Sequence, residues 1–437
     1  MIHILILGIS CLLVSSCKSQ STYIDNLESL NRHFSEKVTQ NPDRKIGKSI
    51  FGAVNQGNYI EPVTNLVLDK EKLIQKYPPE LYYQSLATSL STVGEYKTML
   101  EAWAKQREKP NNRLDEELTG IIGSLTFKAA EEEIIKQGEH HQVIMINEAH
   151  HIPEHRFFTQ TLLEGLYKQG FTYLAAETLS HRDIATLNQK KVPSFRSGIY
   201  ISEPQYANLL RKALALGFTL VAYEDREDFN KSQRDSSQAK NLMKVLEKDP
   251  DAKILVHAGY AHIYETTQSD WVKMGEYFKK FSGIDPLTIN QVDFTDKGNK
   301  GLNSAIYKEI LDQHKIPKAS IPLHENGFWV NPELQGMVDL QIVHPRLDLE
   351  NGRPLWLSHR MYEPVKIPRS KLKDAFLIQA FKAEEIHTFD IQQLVPVDQI
   401  LVKDYQSNKY LYLPRGERHL IRLLDVQNNV LEEYQVP

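Results

Sequence analysis

The chain has 437 residues, which at about 150 residues per domain is room for roughly three domains and a sizeable core, so a peptide hormone or lone module is excluded. Hydrophobic residues at 41 % and charged residues at 25 % are ordinary for a folded protein, and 21 Gly with 20 Pro are too few for a disordered or fibrous chain. Lys and Arg at 52 against Asp and Glu at 56 leave a net charge of −4, with no basic field to draw in nucleic acid, which is excluded as a partner. The only two cysteines, Cys11 and Cys17, stand at the start, so no disulfide or all-cysteine metal site lies downstream.

Ile4 to Val14 is an apolar run too short to span a bilayer as a helix but of the length of a signal-peptide core. The Val14-Ser15-Ser16-Cys17 that follows resembles the lipobox of bacterial lipoproteins. That resemblance implies a lipid on Cys17 and attachment to a membrane of the cell envelope. Lys18 in the next position is not the acidic residue that retains such proteins at the inner membrane, which points to the outer one. An ordinary secretory signal is the alternative reading.

Residues 18–140 read as a polar tether followed by a helical region up to Gly138. Tyr82, Leu86, Leu90 and Val93 keep helical spacing, Gly94 interrupts, and Tyr96, Leu100 and Trp103 continue on a second helix, a hairpin that caps the neighbouring domain. From 141 to about 300 short apolar strands alternate with amphipathic helices. The strands are Val143 to Ile146, Tyr173 to Ala176, Thr219 to Tyr223, Lys253 to His257 and Leu287 to Val292. The helices run from Pro153 to Gln169, Gln205 to Leu216 and Gln233 to Glu247. Continuous apolar strands separated by helices predict an α/β fold with a mostly parallel central sheet covered on both faces. Residues 301–437 form an extension with helices expected over Ser304 to Gln313 and Arg369 to Phe381. Strands are expected over Val338 to Val343, Gln399 to Val402, Tyr410 to Leu413, His419 to Leu424 and Val430 to Val436, the last of them forming a small antiparallel β unit.

Each core strand ends in a chemically useful residue: Glu148, His150 and His151 after the first, Glu177 after the second, Glu224 and Asp225 after the third, and Tyr260 and His262 after the fourth. In an open α/β sheet ligands bind beyond the carboxyl ends of the strands, so two carboxylates and two or three imidazoles should converge there. Such a group could hold a divalent metal (Zn, Mn, Co or Fe) through His150, Glu177 and His262, or orient a water with no metal, a histidine acting as base. His257, inside an apolar strand, reads as a core residue, and His140 and His141 are given no role in the site. Glu224 and Asp225 read as part of a solvated, charge-rich loop.

The order of the Asn147-Glu148-Ala149-His150 turn, the helix with Glu154 and His155, Glu177, Arg234-Asp235 and Gly259-Tyr260-Ala261-His262 resembles the superfamily that unites erythromycin esterases, ChaN-type haem-binding lipoproteins and the TraB and Tiki proteins, the Tiki branch being metal-dependent membrane-associated proteases. The match covers about residues 141 to 295, with Asn147 standing where the pattern has glycine. The resemblance implies Glu148, His150, Glu177 and His262 as catalytic residues, with His151, Arg234, His155 and Tyr260 as further candidates. In the esterase branch the first histidine would be His151. Three functions follow: a hydrolase of ester or amide bonds acting on a small-molecule or peptide substrate, a haem or iron carrier with Tyr260 as a candidate haem ligand, or a lipoprotein that binds without catalysis.

Overall fold

Four apolar residues in a row, Val143-Ile144-Met145-Ile146, can be hidden only if both faces of their strand are covered, and all four are fully buried. In the computed structural model, which describes residues 26–38, 57–105, 114–224, 231–267, 270–298, 301–325 and 327–437, they lie near the middle of a six-stranded sheet. Cys17, the segments around it and Asp225 lie outside the described residues. In chain order the core elements are β1 (Val143–Glu148), α1 (Pro153–Lys168), β2 (Phe171–Ala176), α2 (Pro204–Leu216), β3 (Thr219–Val221), α3 (Lys231–Lys248), β4 (Lys253–Gly259), β5 (Leu287–Asn290) and β6 (Leu340–Gln341). The sheet order is β3-β2-β4-β1-β5-β6, and every neighbouring pair is parallel.

The alternation of side chains along β1 sorts its neighbours. Ile144 and Ile146 pack with Leu162, Leu163 and Leu166 of α1 and Leu209 and Leu210 of α2. Val143 and Met145 face Ala239 and Leu242 of α3 and Met274 and Phe278 of the helix Met274–Ser282. Pro153 starts α1 where its missing N–H costs nothing, and Gly217, at φ 104°, closes α2 in the left-handed conformation.

The parallel α/β sheet expected from the sequence is thus present, but it takes its sixth strand from beyond residue 300. A second departure is the strand Thr126–Ala129, which pairs antiparallel with Ser320–His324 inside the stretch read as helical up to Gly138. Four residues are too few to display a period, and helix resumes at once over Ala130–Gln137.

The hairpin Pro79–Thr92 and Tyr96–Ala104 forms as its spacing predicts. Its apolar face meets Ala149 and Ile152 at the sheet edge on one side and Phe376, Leu377, Leu401 and Leu424 on the other. Those last residues belong to a four-stranded antiparallel sheet in the order Asp398–Leu401, Leu377–Lys382, His419–Leu424, Val430–Val436, with a separate ribbon of Tyr362–Ile367 and Lys409–Pro414 beside it. The helix expected over Arg369 to Phe381 is replaced by a single 3-10 turn, Arg369–Lys371, and the strand Leu377–Lys382. That strand is paired on both sides, and Leu377 through Phe381 are all buried, the polar Gln379 included, so it shows no in-and-out alternation by which to tell it from a helix. Among the described residues no helix is long and apolar enough to cross a membrane.

Candidate functional site

The carboxyl ends of β1, β2 and β4 meet around two buried carboxylates. Asn147 ties the ends together: its Nδ2 donates to the Tyr260 carbonyl (2.7 Å), its Oδ1 accepts from the Gln291 N–H (2.8 Å), and its own carbonyl accepts from Gln291 Nε2 (2.7 Å). Asn147 does not adopt positive φ. The left-handed residues next to the site's side chains are Thr178 and Tyr260, at φ 65° and 44°, directly after Glu177 and Gly259. Asn147 therefore acts as a polar clamp through its side chain rather than as a flexible turn residue.

Glu148 is saturated with donors. Its Oε1 accepts from His150 Nδ1 and Arg156 Nη2, both at 2.8 Å, and its Oε2 accepts from His257 Nε2 at 2.8 Å and Arg156 Nε at 2.6 Å. Burial alone would push this carboxyl up, but the Arg156 guanidinium and the hydrogen bonds from Arg156, His150 and His257 hold it well below the usual carboxylate range. Arg156 also reaches Glu203 (3.1 Å), and Glu203 caps α2 through the N–H groups of Gln205 and Tyr206. With no lone pair open to water, Glu148 orients its histidines and is not the base.

With Nδ1 donating to Glu148, the neutral form of His150 has its lone pair at Nε2. The ring stacks on Tyr200 (centroids 4.3 Å apart) and meets the edge of Tyr260 at 5.0 Å. Nε2 faces Gly259: a Cβ there would stand 2.7 Å from His150 Nε2 and 2.7 Å from Glu177 Oε2. Imidazole and carboxylate thus both crowd a position that only glycine can occupy, the His150 Cε1 coming closest of all to where a Cβ would stand. Glu177 accepts the Gly259 N–H at Oε2 and Arg234 Nη2 (2.8 Å) at Oε1, and its backbone carbonyl accepts the Tyr206 hydroxyl. Burial raises its pKa, but the charges of His262, His150 and Arg234 and the Gly259 N–H outweigh that and leave it lowered.

His262 repeats the pattern of His150. Its Nδ1 bonds Asp235 Oδ1 at 2.5 Å, and fully buried Asp235 is held in turn by Trp271 Nε1 (2.7 Å) and the Met274 N–H (2.9 Å). Burial would lower the pKa of His262, yet the Asp235 hydrogen bond and the charge of Glu177 raise it. Arg234, a third exposed, joins Glu177 to Glu224 through its Nε (2.6 Å to Glu224 Oε1), so Glu224 sits beside the site rather than in a solvated loop; burial and the charge of Glu177 push it up.

The structure brings together Glu148, His150, Glu177, Tyr260, His262 and Arg234. It does not bring in His151, which stacks on Trp103 of the helical hairpin with centroids 3.7 Å apart. Nor does it bring in His155, whose Nδ1 accepts the Ala149 N–H (2.9 Å) and whose Nε2 donates to Thr295 (2.8 Å); burial and His344 keep it well below its ordinary pKa. Sequence reasoning missed Arg156 and Glu203 and left His257 to the core, although a histidine inside an apolar strand needs a buried partner, and that partner is Glu148.

The residues do not fit a metal as they stand. Both oxygens of Glu177 are occupied, one by a guanidinium whose charge would oppose a cation, and among the described residues no group of three His, Cys, Asp or Glu side chains is spaced to hold an ion.

No family model matches the chain, and no curated protein matches it. Among solved structures it is similar to the type III effector HopBA1 at 12% identity over 38% of this chain and 86% of that one, with a TM-score of 0.28. A structure of bacterial protein toxins is 16% identical over 52% of this chain and 48% of that one, with a TM-score of 0.30. RRSP, a MARTX toxin effector domain from Vibrio vulnificus, is 18% identical over 43% and 41%, with a TM-score of 0.25. At these scores the likeness carries no argument about this chain.

Proposed function

We propose that the chain is a hydrolase of an ester or amide bond, attached to the cell envelope through Cys17. The observation that carries this reading is a pair of imidazoles, His150 and His262, each held at Nδ1 by a buried carboxylate and each beside the ionised Glu177. These are also positions selected by the resemblance to the erythromycin esterase, ChaN and TraB/Tiki superfamily.

In this mechanism a water between His150 and the substrate attacks the carbonyl carbon while its proton passes to His150 Nε2. Glu148 stays anionic and stabilises the imidazolium that forms. His262, whose raised pKa favours the charged form, gives its Nε2 proton to the leaving oxygen or nitrogen as the carbonyl bond breaks. Exchange with solvent then restores both rings. Glu177, fixed by Arg234 and the Gly259 N–H, orients the water and supports the charge on His262.

Screening ester and peptide substrates with the full-length Cys17→Ser protein tests this. His150→Gln, Glu177→Gln and His262→Gln are each expected to lower kcat by about 10²-fold or more with the fold intact. Undiminished turnover in His150→Gln overturns the reading. Stoichiometric metal in the purified protein would overturn the metal-free form of this reading, and a Soret band would replace it with the haem carrier. Cys17→Ser itself should move the protein from the membrane fraction to the soluble one; unchanged partitioning removes the anchor.

A further inference from the structure

A histidine in the middle of the sheet has no part in the mechanism above. His257 stands in β4 opposite Ile146 of β1 and Ala176 of β2, and it shares with Leu255 the face packed against α1 and α2. The residue is fully buried, so each of its ring nitrogens needs a partner. Nε2 has one in Glu148 Oε2 at 2.8 Å, and Nδ1 has one in Thr159 Oγ1 of α1 at 3.2 Å.

A threonine hydroxyl has a single proton to give. Thr159 Oγ1 donates to the His155 carbonyl four residues back, at 3.0 Å, the usual bond of a threonine inside a helix. Its oxygen then meets His257 as an acceptor. The ring lies between a carboxylate oxygen and a hydroxyl oxygen, and an imidazole between two acceptors is satisfied by a proton on each nitrogen.

The charges around it ask for the same proton. Glu148 and Glu203, 1 % and 3 % exposed, share one guanidinium, that of Arg156, which leaves this buried group one positive charge short. Other neighbours of the ring do not supply it. His155 is neutral, its Nδ1 accepting the Ala149 N–H, and Tyr206 of α2, 6.2 Å away between centroids, is a phenol that burial keeps uncharged. Tyr223 and the Glu177 N–H reach only the His257 carbonyl. Two imidazoles bond Glu148 and can make good the deficit. His150 Nε2 has no hydrogen-bond acceptor among the described residues, whereas His257 has one on each side.

We infer that the second ring proton of this cluster belongs to His257, and that His257 is the positioning residue that leaves His150 neutral. With Arg156 and a fixed imidazolium already facing it, Glu148 does not draw a proton onto His150 Nε2, the atom that takes one from water. The catalytic consequence rests on the proposed hydrolase reading; the place of the proton does not.

Long-range proton–nitrogen correlation spectra of the full-length Cys17→Ser protein labelled with ¹⁵N-histidine, at pH 7, read that place without a substrate. His257→Gln and His150→Gln identify the two rings by the signals they remove. His257 is expected to show two protonated nitrogens, and His150 one protonated and one lone-pair nitrogen. Thr159→Val removes the acceptor at Nδ1, so His257 should lose that proton and His150 gain one, while Thr159→Ser should keep the original pattern. With a substrate in hand, Thr159→Val should lower kcat/KM about tenfold on the acid side and leave the alkaline plateau in place, because a protonated base is masked and not lost. A loss of the same size at every pH would assign Thr159 and His257 to structure and overturn the inference. So would a lone-pair nitrogen on His257 or two protonated nitrogens on His150 in the parent protein, which decides the matter even if Thr159→Val fails to fold. The expected spectra without turnover of any ester or amide would remove the hydrolase reading alone.

Discussion

Glu148→Gln would leave Arg156, only 1 % exposed, with Glu203 as its remaining counter-charge, and would offer an amide N–H to side chains that are themselves donors. Breaking a buried pair from one side costs about 3–5 kcal/mol, so the urea midpoint at pH 7 should fall steeply. Glu177→Gln, next to the more exposed Arg234, should lose activity with a much smaller fall. Equal midpoints for the two variants would show that Glu148 is not the electrostatic centre of the site. The same groups set a pH dependence. Glu148 and Glu177 are lowered in the folded state, so the stability they contribute is present above the unfolded value near about 4.3 and is lost as pH falls through their lower folded values. His262 is raised, so its contribution is complete below about 6.5 and is lost as pH rises through its higher folded value. Denaturation midpoints measured from acid to alkaline pH should decline at both ends, and His262→Gln should flatten the alkaline decline alone. An unchanged alkaline limb in that variant would count against the Asp235 pairing.

At the scale of elements, the C-terminal sheet is held to the rest by buried polar contacts. Arg353 donates to both oxygens of Asp398 at 2.5 and 2.6 Å with each residue only 2 % exposed, and Arg211 of α2 makes a two-point contact with Glu385 at 2.8 Å. Arg353→Met should destabilise by about 3–5 kcal/mol, and adding Asp398→Leu should recover part of it, because the carboxylate then no longer lies buried and unpaired. A double variant no better than the single one, by thermal melting, would assign the loss to packing. Elements were legible in the sequence where period and punctuation agree, as in β1 and in α1 with Pro153 at its start. They were illegible where the chain is buried all round, as in Leu377–Lys382, or too short for a period, as in Thr126–Ala129. The site divides the same way. Glu148, His150, Glu177 and His262 stand at strand ends, which topology alone gathers. Arg156 and Glu203 sit at the starts of two helices, and only the packing of α1 against α2 explains why they meet.

Across the whole molecule the parts share contacts too closely to act as separate beads. The hairpin accepts Leu401 N–H at the Val93 carbonyl (3.2 Å) and Gln399 Nε2 at the Thr92 carbonyl (2.5 Å), while Tyr59 donates to the Ser202 carbonyl (3.0 Å). Limited proteolysis should therefore give no independently stable fragments on both sides of the central sheet, and thermal unfolding should be a single transition. The sheet order has a further consequence for how the protein is made. Its first strand in the chain, β1, is enclosed between β4 and β5, and its last, β6, closes the edge next to β5. A nascent chain emerging at about 5–20 residues per second therefore holds β1 for several seconds before β4 arrives to cover one side, and longer before β6 completes the array. During that interval a strand with Val143 through Ile146 exposed is the most adhesive segment on the ribosome, so truncated messages that end between β1 and β4 should yield products bound by chaperones rather than free ones.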